Sequence, residues 1–417
     1  MNSQIPTVTK TELQRIMIAG CHLHQWQGKG QAGIRRVFQE QGSVQLDPLN
    51  PAGRNHDLFF LARIPDYRLG QFERICYSEK LVFEDYFPSL HAISRKFFPL
   101  FYSRTGIKYM DKYTRPGVEK FQQEQPGMLE KILDYVREHG PTKGSDLAHL
   151  GKAGPEYASW KSNRISGTAL EYLWRLRKLA IVERDTNFRK VYGTIENYFD
   201  EEELIKRKYS EKELHYQKLQ LRLKNSPIIM VKIAKPKEKE KSVISRYKWF
   251  INFDLLLSEL LNESDPSDQL EPALVQLENT SDLFIVPSNW RNLCNSSLDD
   301  KMRVIAPLDP LVWERRLLNT LFDFDYTWEV YKKAENRKWG YYVYPLLFKG
   351  SFIGRLEAKF DKKTKKLTVF NFQIEQNKQF ENKEGKAFIQ LLTRWKNMLG
   401  AEDILLDDSC PIQEFSG

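Results

Sequence analysis

The order of predicted elements between Gln125 and Glu196 constrains the fold of this chain more than any other feature. The sequence there contains a helix, GMLEKILDYVREHG, a short polar-capped helix, GSDLAHLG, and a long helix around TALEYLWRLRKL. Residues 180–193, AIVERDTNFRKVYG, then alternate between apolar and polar side chains around an Asp-Thr-Asn turn, which predicts a two-stranded hairpin. Three helices followed by a hairpin are typical of a winged helix-turn-helix.

The third of these helices is predicted to carry two distinct faces. Leu170, Leu173 and Trp174 form an apolar stripe. A second face carries polar side chains at alternating spacings of three and four residues: Lys161, Arg164, Thr168, Glu171, Arg175 and Lys178. Helix-turn-helix units place this helix against DNA, where bases neutralise phosphates, so we predict DNA contacts from its four bases. A merely solvated helix face is the alternative interpretation.

Further modules are predicted on both sides of this unit. Residues 10–41 have the apolar spacing of two short helices. Residues 201–241 are dense in charge and end in KPKEKEK, which indicates a linker with a solvated loop. Residues 247–290 form a weaker helix-helix-ribbon pattern, with a helix around SDQLEPALVQLE and a strand in DLFIVPSNW.

The last part of the chain predicts a sheet. Alternating runs, FDYTWEVY, GYYVYPLLF, SFIGRLEAKF and KLTVFNFQ, precede the helix KEGKAFIQLLTRWKNML, a pattern of a small barrel or curled sheet with one covering helix. We therefore predict an α+β fold of tandem winged helix-turn-helix modules followed by a small C-terminal β-barrel. The predicted domains are a first module, a second module, a linker helix with a third module, and the barrel: residues 1–124, 125–200, 201–302 and 303–417.

Composition narrows the function. The chain has 64 Lys and Arg against 55 Asp and Glu, a net charge of +9 that favours an anionic partner, nucleic acid first. Its four scattered cysteines do not form a disulfide framework or a CxxC zinc site. No membrane-length apolar stretch, GxxxxGK[ST] motif or HExxH motif is present, and we expect no signal peptide. We expect a cytoplasmic protein that uses no membrane segment, metal or cofactor.

One short strand brings an amide and a carboxylate together. In SVQLDP, residues 43–48, apolar side chains alternate with Gln45 and Asp47, which is the period of a half-buried strand. Residues two apart lie on one face within about 7 Å, so Gln45 and Asp47 could bind one water between them. The carboxylate would accept its proton and the amide would aim it. A strand with an ordinary polar outer face is the alternative.

The residues around this pair resemble a known family. GIRRVFQEQGSVQLDPLNPAGRNHDLFFLAR, residues 33–63, resembles the crosslink-repair DNA glycosylase family of bacteria, the YcaQ- and AlkZ-like winged-helix glycosylases. That family has a Gln-apolar-Asp or Gln-apolar-Gln signature, then an Arg-x-His element and an apolar run closed by Arg. Here the Arg-x-His element is Arg54 with His56. Residues 306–331 and 338–363 are similar to the family's C-terminal blocks.

The resemblance implies three tandem winged helices and a β-barrel around a channel for duplex DNA. It also implies excision of N7-alkylated purines, including those in interstrand crosslinks, with Gln45 and Asp47 holding the attacking water. The expected partner is double-stranded DNA, preferring alkylated or crosslinked duplex, bound by a monomer in the nucleoid. We add Arg54, His56 and His91 to the predicted DNA contacts, because either histidine could touch phosphate. The alternative for each histidine is a hydrogen bond to a backbone carbonyl.

The chemistry expected of such a site needs one carboxylate. An N7-alkylguanine is cationic, so its glycosidic bond breaks without a general acid. Asp47 would stabilise the oxocarbenium-like sugar and deprotonate the water that Gln45 positions, as in a monofunctional glycosylase. The alternative is a non-catalytic winged-helix DNA-binding protein or transcriptional regulator, in which Gln45 and Asp47 are plain strand residues.

Overall fold

The computed structural model describes residues 5–110, 114–152, 164–232 and 272–412. The chain divides into two compact units, each of which combines helices and strands, so the predicted α+β class is confirmed. Unit 1 comprises Met1–Phe72, Phe87–His91 and His215–Gly417, and unit 2 comprises Glu73–Tyr86 and Ala92–Leu214. The four predicted domain boundaries stay predictions. Within the described residues, no helix combines the length and apolar character that crossing a bilayer requires.

The described strands and helices are numbered in chain order. The strands are β1 (Thr7–Val8), β2 (Ser43–Gln45), β3 (Val82–Tyr86), β4 (Leu90–Ser94), β5 (Leu179–Arg184), β6 (Lys190–Thr194), β7 (Ile229–Lys232), β8 (Ala273–Leu277), β9 (Leu283–Val286), β10 (Arg303–Val304), β11 (Val343–Phe348), β12 (Ser351–Asp361), β13 (Lys366–Ile374) and β14 (Asp403–Leu406). The helices are α1 (Lys10–Gly20), α2 (Gly30–Glu40), α3 (Asn55–Leu61), α4 (Gln71–Glu73), α5 (Phe98–Tyr102), α6 (Thr114–Glu124), α7 (Met128–His139), α8 (Ile165–Arg175), α9 (Ile195–Tyr198), α10 (Glu211–Asn225), α11 (Trp290–Cys294), α12 (Arg315–Phe322) and α13 (Asn382–Leu399).

In unit 1, the two predicted N-terminal helices are present as α1 and α2. A capping box starts α1, because Thr9 Oγ1 accepts from the Glu12 N–H and the Glu12 carboxylate accepts from the Thr9 N–H. The apolar face of α1 packs into a core that also receives side chains from a four-stranded sheet of order β1-β8-β9-β7. Strands β1 and β8 are parallel, so the start of the chain is paired with a segment more than 260 residues later.

The prediction of a helix around SDQLEPALVQLE is wrong where the structure describes it. Ala273–Leu277 form strand β8, and Val275 within it is fully buried between neighbouring strands. A short apolar run cannot be assigned to a helix or a buried strand by periodicity alone, and here pairing on both sides decides for the strand. The rest of that segment and KPKEKEK lie outside the described residues, whereas the linker region contributes helix α10.

A five-stranded sheet of order β10-β11-β12-β13-β14 forms an open half-barrel in unit 1. Three of the predicted alternating runs are its antiparallel strands β11, β12 and β13, and β14 adds a parallel edge. FDYTWEVY is not a strand in the described structure. The predicted covering helix is α13, whose Trp395 is fully buried. Closure of the sheet into a barrel stays a prediction.

Unit 2 contains the element order that the sequence predicts for residues 125–200. Helix α7, a single helical turn, helix α8 and the antiparallel hairpin β5–β6 follow one another. Thr142 pairs with Tyr192 of the hairpin through two backbone hydrogen bonds of 2.8 and 2.9 Å, adding a short third segment to the ribbon. The assignment of this unit and of its counterparts as winged helix-turn-helix modules stays a prediction.

Candidate active site

The predicted amide lies on the last residue of strand β2, and the predicted carboxylate follows two residues later in unit 1. Val44 and Leu46 are 1% and 4% exposed, whereas Gln45 and Asp47 are half-buried, so the predicted alternation is confirmed. The strand is shorter than predicted, because it ends at Gln45. Leu46 still donates to the Leu90 carbonyl at 2.8 Å, but Pro48 has no N–H to continue the pairing. Asp47 therefore lies at the start of a turn.

The Asp47 carboxylate takes part in that turn. Its Oδ1 accepts from the Leu49 N–H at 2.9 Å, an Asx-type contact that fixes the side chain relative to its own backbone. Beyond Leu49, Asn50 Oδ1 accepts from the Gly53 N–H at 3.1 Å, and Gly53 has a φ of +111° that favours glycine. The turn thus orders its own side chains before any ligand is bound.

Distant parts of unit 1 hold the segment that follows Gln45. Asn55, which is 1% exposed, donates through Nδ2 to the Gln45 carbonyl at 2.9 Å and accepts from the Leu308 N–H at 3.1 Å. Phe360 in β12 donates its N–H to the carbonyl of residue 51, and Trp395 in α13 donates Nε1 to that of residue 52, each at 2.7 Å. The candidate catalytic residues therefore lie on a segment anchored to several elements, which is the pre-organisation a catalytic site needs.

The charge of Asp47 acts on one aromatic residue, Tyr342, which directly precedes strand β11. Tyr342, which is 1% exposed, contacts Trp328 and Tyr344 with ring centroids 6.0 and 5.2 Å apart. Burial raises the pKa of Tyr342 well above its ordinary value, and the charges of Tyr344 and Asp47 raise it further. Within the described residues, the Tyr342 hydroxyl has no hydrogen-bond partner. We call Trp328, Tyr342 and Tyr344 the aromatic cluster.

His56 and His91, for which the sequence leaves phosphate contact and a backbone carbonyl open, occupy interior positions that are closed to phosphate in this structure. Both side chains are 0% exposed. His56 packs on the Phe72 ring at 4.6 Å, and His91 lies edge-on to Trp313 at 5.6 Å with Nδ1 2.8 Å from the Ser89 carbonyl. Burial lowers the pKa of His91 to about 4, so it is neutral near pH 7. Long-range packing covers both rings, which local sequence does not reveal.

Arg54 precedes helix α3 and is half-buried. Its N–H donates to Asp57 Oδ2 at 3.0 Å, which satisfies one donor at the helix start. Contact between the Arg54 side chain and DNA stays a prediction.

The predicted basic face of unit 2 is only partly a helix face. Helix α8 begins after Arg164 and ends at Arg175, so Lys178 lies beyond it, and Lys161 lies outside the described residues. Arg164 and Lys178 are exposed, but Thr168 is fully buried, so the predicted continuous polar stripe is wrong there.

The structure gives Arg175 a local role. It donates through Nη2 to Thr114 Oγ1 at 2.9 Å, and its guanidinium lies 4.4 Å from the centre of the Tyr86 ring. These contacts occupy part of the side chain, which is half-buried. DNA contact by these bases stays a prediction.

Sequence reasoning did not identify Asn55, the aromatic cluster or a buried ion pair between Arg63 and Asp309. Arg63 closes the apolar run LFFLAR, and Asp309 lies in the second block of family resemblance. A charged residue at the end of an apolar helix was the available signal for Arg63, because such a residue needs a buried partner.

Comparisons with known proteins agree with this arrangement. The family described as DNA glycosylase AlkZ-like matches residues 39–218 and 257–390, most of the chain. A solved structure of the Streptomyces sahachiroi DNA glycosylase AlkZ is similar in fold, with a TM-score of 0.55 and 12% sequence identity, covering 96% of this chain and 99% of that chain. The family match spans the Gln-Leu-Asp segment and strands β10 to β13 of the half-barrel. This chain belongs to the AlkZ-like family of DNA glycosylases, DNA-binding repair enzymes that hydrolyse N-glycosyl bonds.

Proposed function

We propose that this protein is a monofunctional glycosylase that releases N7-alkylated purines from duplex DNA and unhooks interstrand crosslinks built on them. The observation that carries the proposal is the anchored segment from Gln45 to Asn55, which presents a half-buried carboxylate, Asp47, and is tied through Trp395 to Tyr344 of the aromatic cluster. Such a site offers one fixed carboxylate, one amide and apolar ring surface. Those are the groups that hydrolysis of a cationic nucleotide requires.

The mechanism follows from the charge of the substrate. An N7-alkylguanine already carries a positive charge, so the base departs without protonation and the sugar develops oxocarbenium character. Asp47 stabilises that positive charge and takes a proton from the water that Gln45 orients. Attack of the water oxygen at the anomeric carbon completes the break of the glycosidic bond. The products are the free base and an abasic site.

The proposal assigns hydrolysis without a covalent intermediate. A Schiff base needs an amine, and the sequence places no lysine beside Gln45 and Asp47. Borohydride should therefore trap no protein-DNA adduct. Trapping of such an adduct would replace the monofunctional assignment with a lyase mechanism.

The remaining assignments concern DNA binding. We propose that the protein acts as a monomer on nucleoid DNA, with its winged helix-turn-helix modules holding the duplex. Arg164 and Lys178, both exposed, and the half-buried Arg54 and Arg175 are the described bases assigned to phosphate. Such contacts predict weak sequence preference and steep salt dependence.

The test is release of free base from a duplex containing one N7-methylguanine, at enzyme excess. We expect release by the wild type and a loss of roughly 100-fold or more in Asp47→Asn, with duplex binding retained. The introduced carboxamide keeps an oxygen that can accept from the Leu49 N–H, so the turn should survive. The exposed Asp300 provides a matched control, since Asp300→Asn should keep the wild-type rate.

Two outcomes would count against the proposal. Equal rates in the wild type and Asp47→Asn would remove this carboxylate from the mechanism. Duplex binding with no release by either protein would favour the non-catalytic DNA-binding alternative.

A further inference from the structure

One aromatic side chain of unit 1 is unusually exposed. Tyr331 exposes 75% of its surface, and the residues after it, 332–338, contain four bases and one acid. A single exposed ring is common on protein surfaces. The setting of this ring therefore decides whether it has a function.

The backbone beside this ring is braced by two glutamates. Glu329, which is 1% exposed, accepts from the N–H groups of residues 338–340 at 3.1, 2.7 and 3.4 Å. Glu357, which is 9% exposed, accepts from the next two N–H groups at 2.8 and 2.9 Å. Five consecutive backbone amides thus donate to two carboxylates. Burying a carboxylate is costly unless it is hydrogen-bonded, and these bonds also hold the segment in one conformation.

The charge of Glu329 is secured by its partners. Burial alone would raise its pKa, but the Lys332 ammonium group and the backbone N–H groups of residues 338–340 lower that pKa to about 2. The carboxylate is therefore ionised near neutral pH. Residues 332–338, the basic segment, are therefore held by Glu329 at both ends. This reduces the conformational entropy that the segment loses when it binds a partner.

Aromatic contacts connect the exposed ring to the candidate site. Tyr331 lies edge-on to Trp328 with ring centroids 5.5 Å apart, and Trp328 lies edge-on to Tyr342 at 6.0 Å. Tyr342 contacts Tyr344, whose ring lies 5.3 Å from Trp395, and Trp395 donates to the carbonyl of residue 52. Ring contacts therefore connect the exposed ring to the anchored segment that carries the candidate catalytic carboxylate.

Two bases of residues 332–338 pair with carboxylates, Lys332 with Glu329 at 2.6 Å and Lys338 with Asp325 at 3.0 Å. We propose that Tyr331 is a stacking wedge that enters the base stack of duplex DNA next to the nucleotide attacked at Asp47, while Lys333 and Arg337 contact phosphates. The inference rests on the proposed function, because it takes Asp47 as the position of the reacting sugar. The positive segment complements the DNA backbone, and an aromatic ring can stack on any base. Inserted side chains unstack a base step, which helps an enzyme that must reach a damaged nucleotide within a duplex.

The experiment uses the full chain and a duplex with 2-aminopurine beside a tetrahydrofuran abasic analogue, which cannot be cleaved by a glycosylase. Loss of stacking raises 2-aminopurine fluorescence. We expect a rise on saturation with wild type, loss of most of that rise in Tyr331→Ala with about tenfold weaker binding, and retention of both in Tyr331→Phe. A full rise in saturating Tyr331→Ala would overturn the wedge.

Two controls separate the ring from its charge and from general exposure. Lys333→Ala should weaken binding and lower the salt dependence by about one phosphate contact, but keep the fluorescence rise at saturation. Ile205→Ala, which shortens an apolar side chain that is 65% exposed in unit 2, should change neither quantity. No base is released in this assay, so loss of the wedge leaves the Asp47 test unaffected. Equal rates in the wild type and Asp47→Asn, the failure of the Asp47 test, would be seen in base release and would not change the fluorescence result.

Discussion

Arg63 and Asp309 form a two-bond ion pair in which neither side chain is exposed. Arg63 Nη1 donates to Asp309 Oδ2 at 2.7 Å and Nη2 donates to Oδ1 at 3.1 Å. Arg63 Nε also donates to the Cys21 carbonyl at 3.0 Å. The pair joins two blocks of family resemblance that lie 246 residues apart in the sequence. It therefore fixes the end of α3, the helix that begins with Asn55, against the segment that supplies Leu308.

Breaking this pair should destabilise the protein strongly. Asp309→Asn leaves the guanidinium buried without its counter-charge, so we expect a loss of about 3–5 kcal/mol in the free energy of unfolding, measured with urea at pH 7. The exposed pair of Lys10 with Asp323 provides the control, and Asp323→Asn should cost less than about 1 kcal/mol. Similar losses in the two variants would contradict a special role for the buried pair.

Removing the Gln45 amide should slow catalysis without loosening the segment. The structure anchors the Gln45 carbonyl rather than its side chain, so Gln45→Ala keeps the hydrogen bond from Asn55. We expect base release at enzyme excess to fall about tenfold, because the water loses its orienting group, while duplex binding is unchanged. The exposed Gln25 gives a matched Gln25→Ala control that should retain the full rate. Wild-type release by Gln45→Ala would leave the amide without a catalytic role.

Acid should destabilise the protein partly through His91. Burial lowers its pKa to about 4, whereas an imidazole in the unfolded chain titrates near 6.5. Between these values the unfolded chain binds more protons, so stability is present above about pH 6.5 and is lost as the pH falls toward 4. The contribution between pH 7 and pH 5 is about 2 kcal/mol.

Urea unfolding at pH 7 and pH 5 measures this contribution. His91→Asn keeps a donor for the Ser89 carbonyl and removes the titration, so its stability should change less between the two pH values. The exposed His149 serves as the control, and His149→Asn should behave like the wild type. An unaltered pH dependence in His91→Asn would show that the imidazole is accessible to protons in the folded state.

The two bracing glutamates should protect separate amides. A carboxamide is a weaker acceptor than a carboxylate, so Glu329→Gln should speed hydrogen exchange at residues 338–340 about tenfold, and Glu357→Gln should do so at the next two residues. Exchange read by NMR or by mass spectrometry of overlapping peptides gives the result. Glu335→Gln, at an exposed position, is the control. Equal protection in all three variants would mean that the segment is held by other contacts.

Local patterns predicted those features that depend on neighbouring residues. The alternation around Gln45, the helices α1 and α2, the strands β11 to β13 and the covering helix α13 all follow from spacing along the chain. The extent of β2 was overestimated, since Asp47 forms a side-chain turn instead of continuing the strand. Resemblance to the family supplied the chemistry, because an amide and a carboxylate on one strand have no reaction of their own.

Features that depend on distant residues were not predictable in this way. The charge of Asp47 acts on Tyr342, and Asn55 contacts Leu308, only because the half-barrel packs against the N-terminal segment. Burial of His56 has the same origin, since its ring is covered by Phe72. Periodicity reports which face of an element is apolar, but it does not report which other element covers that face.

The anchoring of the Gln45–Asn55 segment has a consequence for biosynthesis. Its partners include Leu308 and Trp395, which follow it by about 250 and 340 residues. During translation the Gln-Leu-Asp motif leaves the ribosome long before these partners exist, so the nascent enzyme should remain inert until α13 has emerged and docked. A premature stop ahead of Trp395 would therefore yield a fragment that carries the whole motif but lacks the anchor that helps to hold it in place.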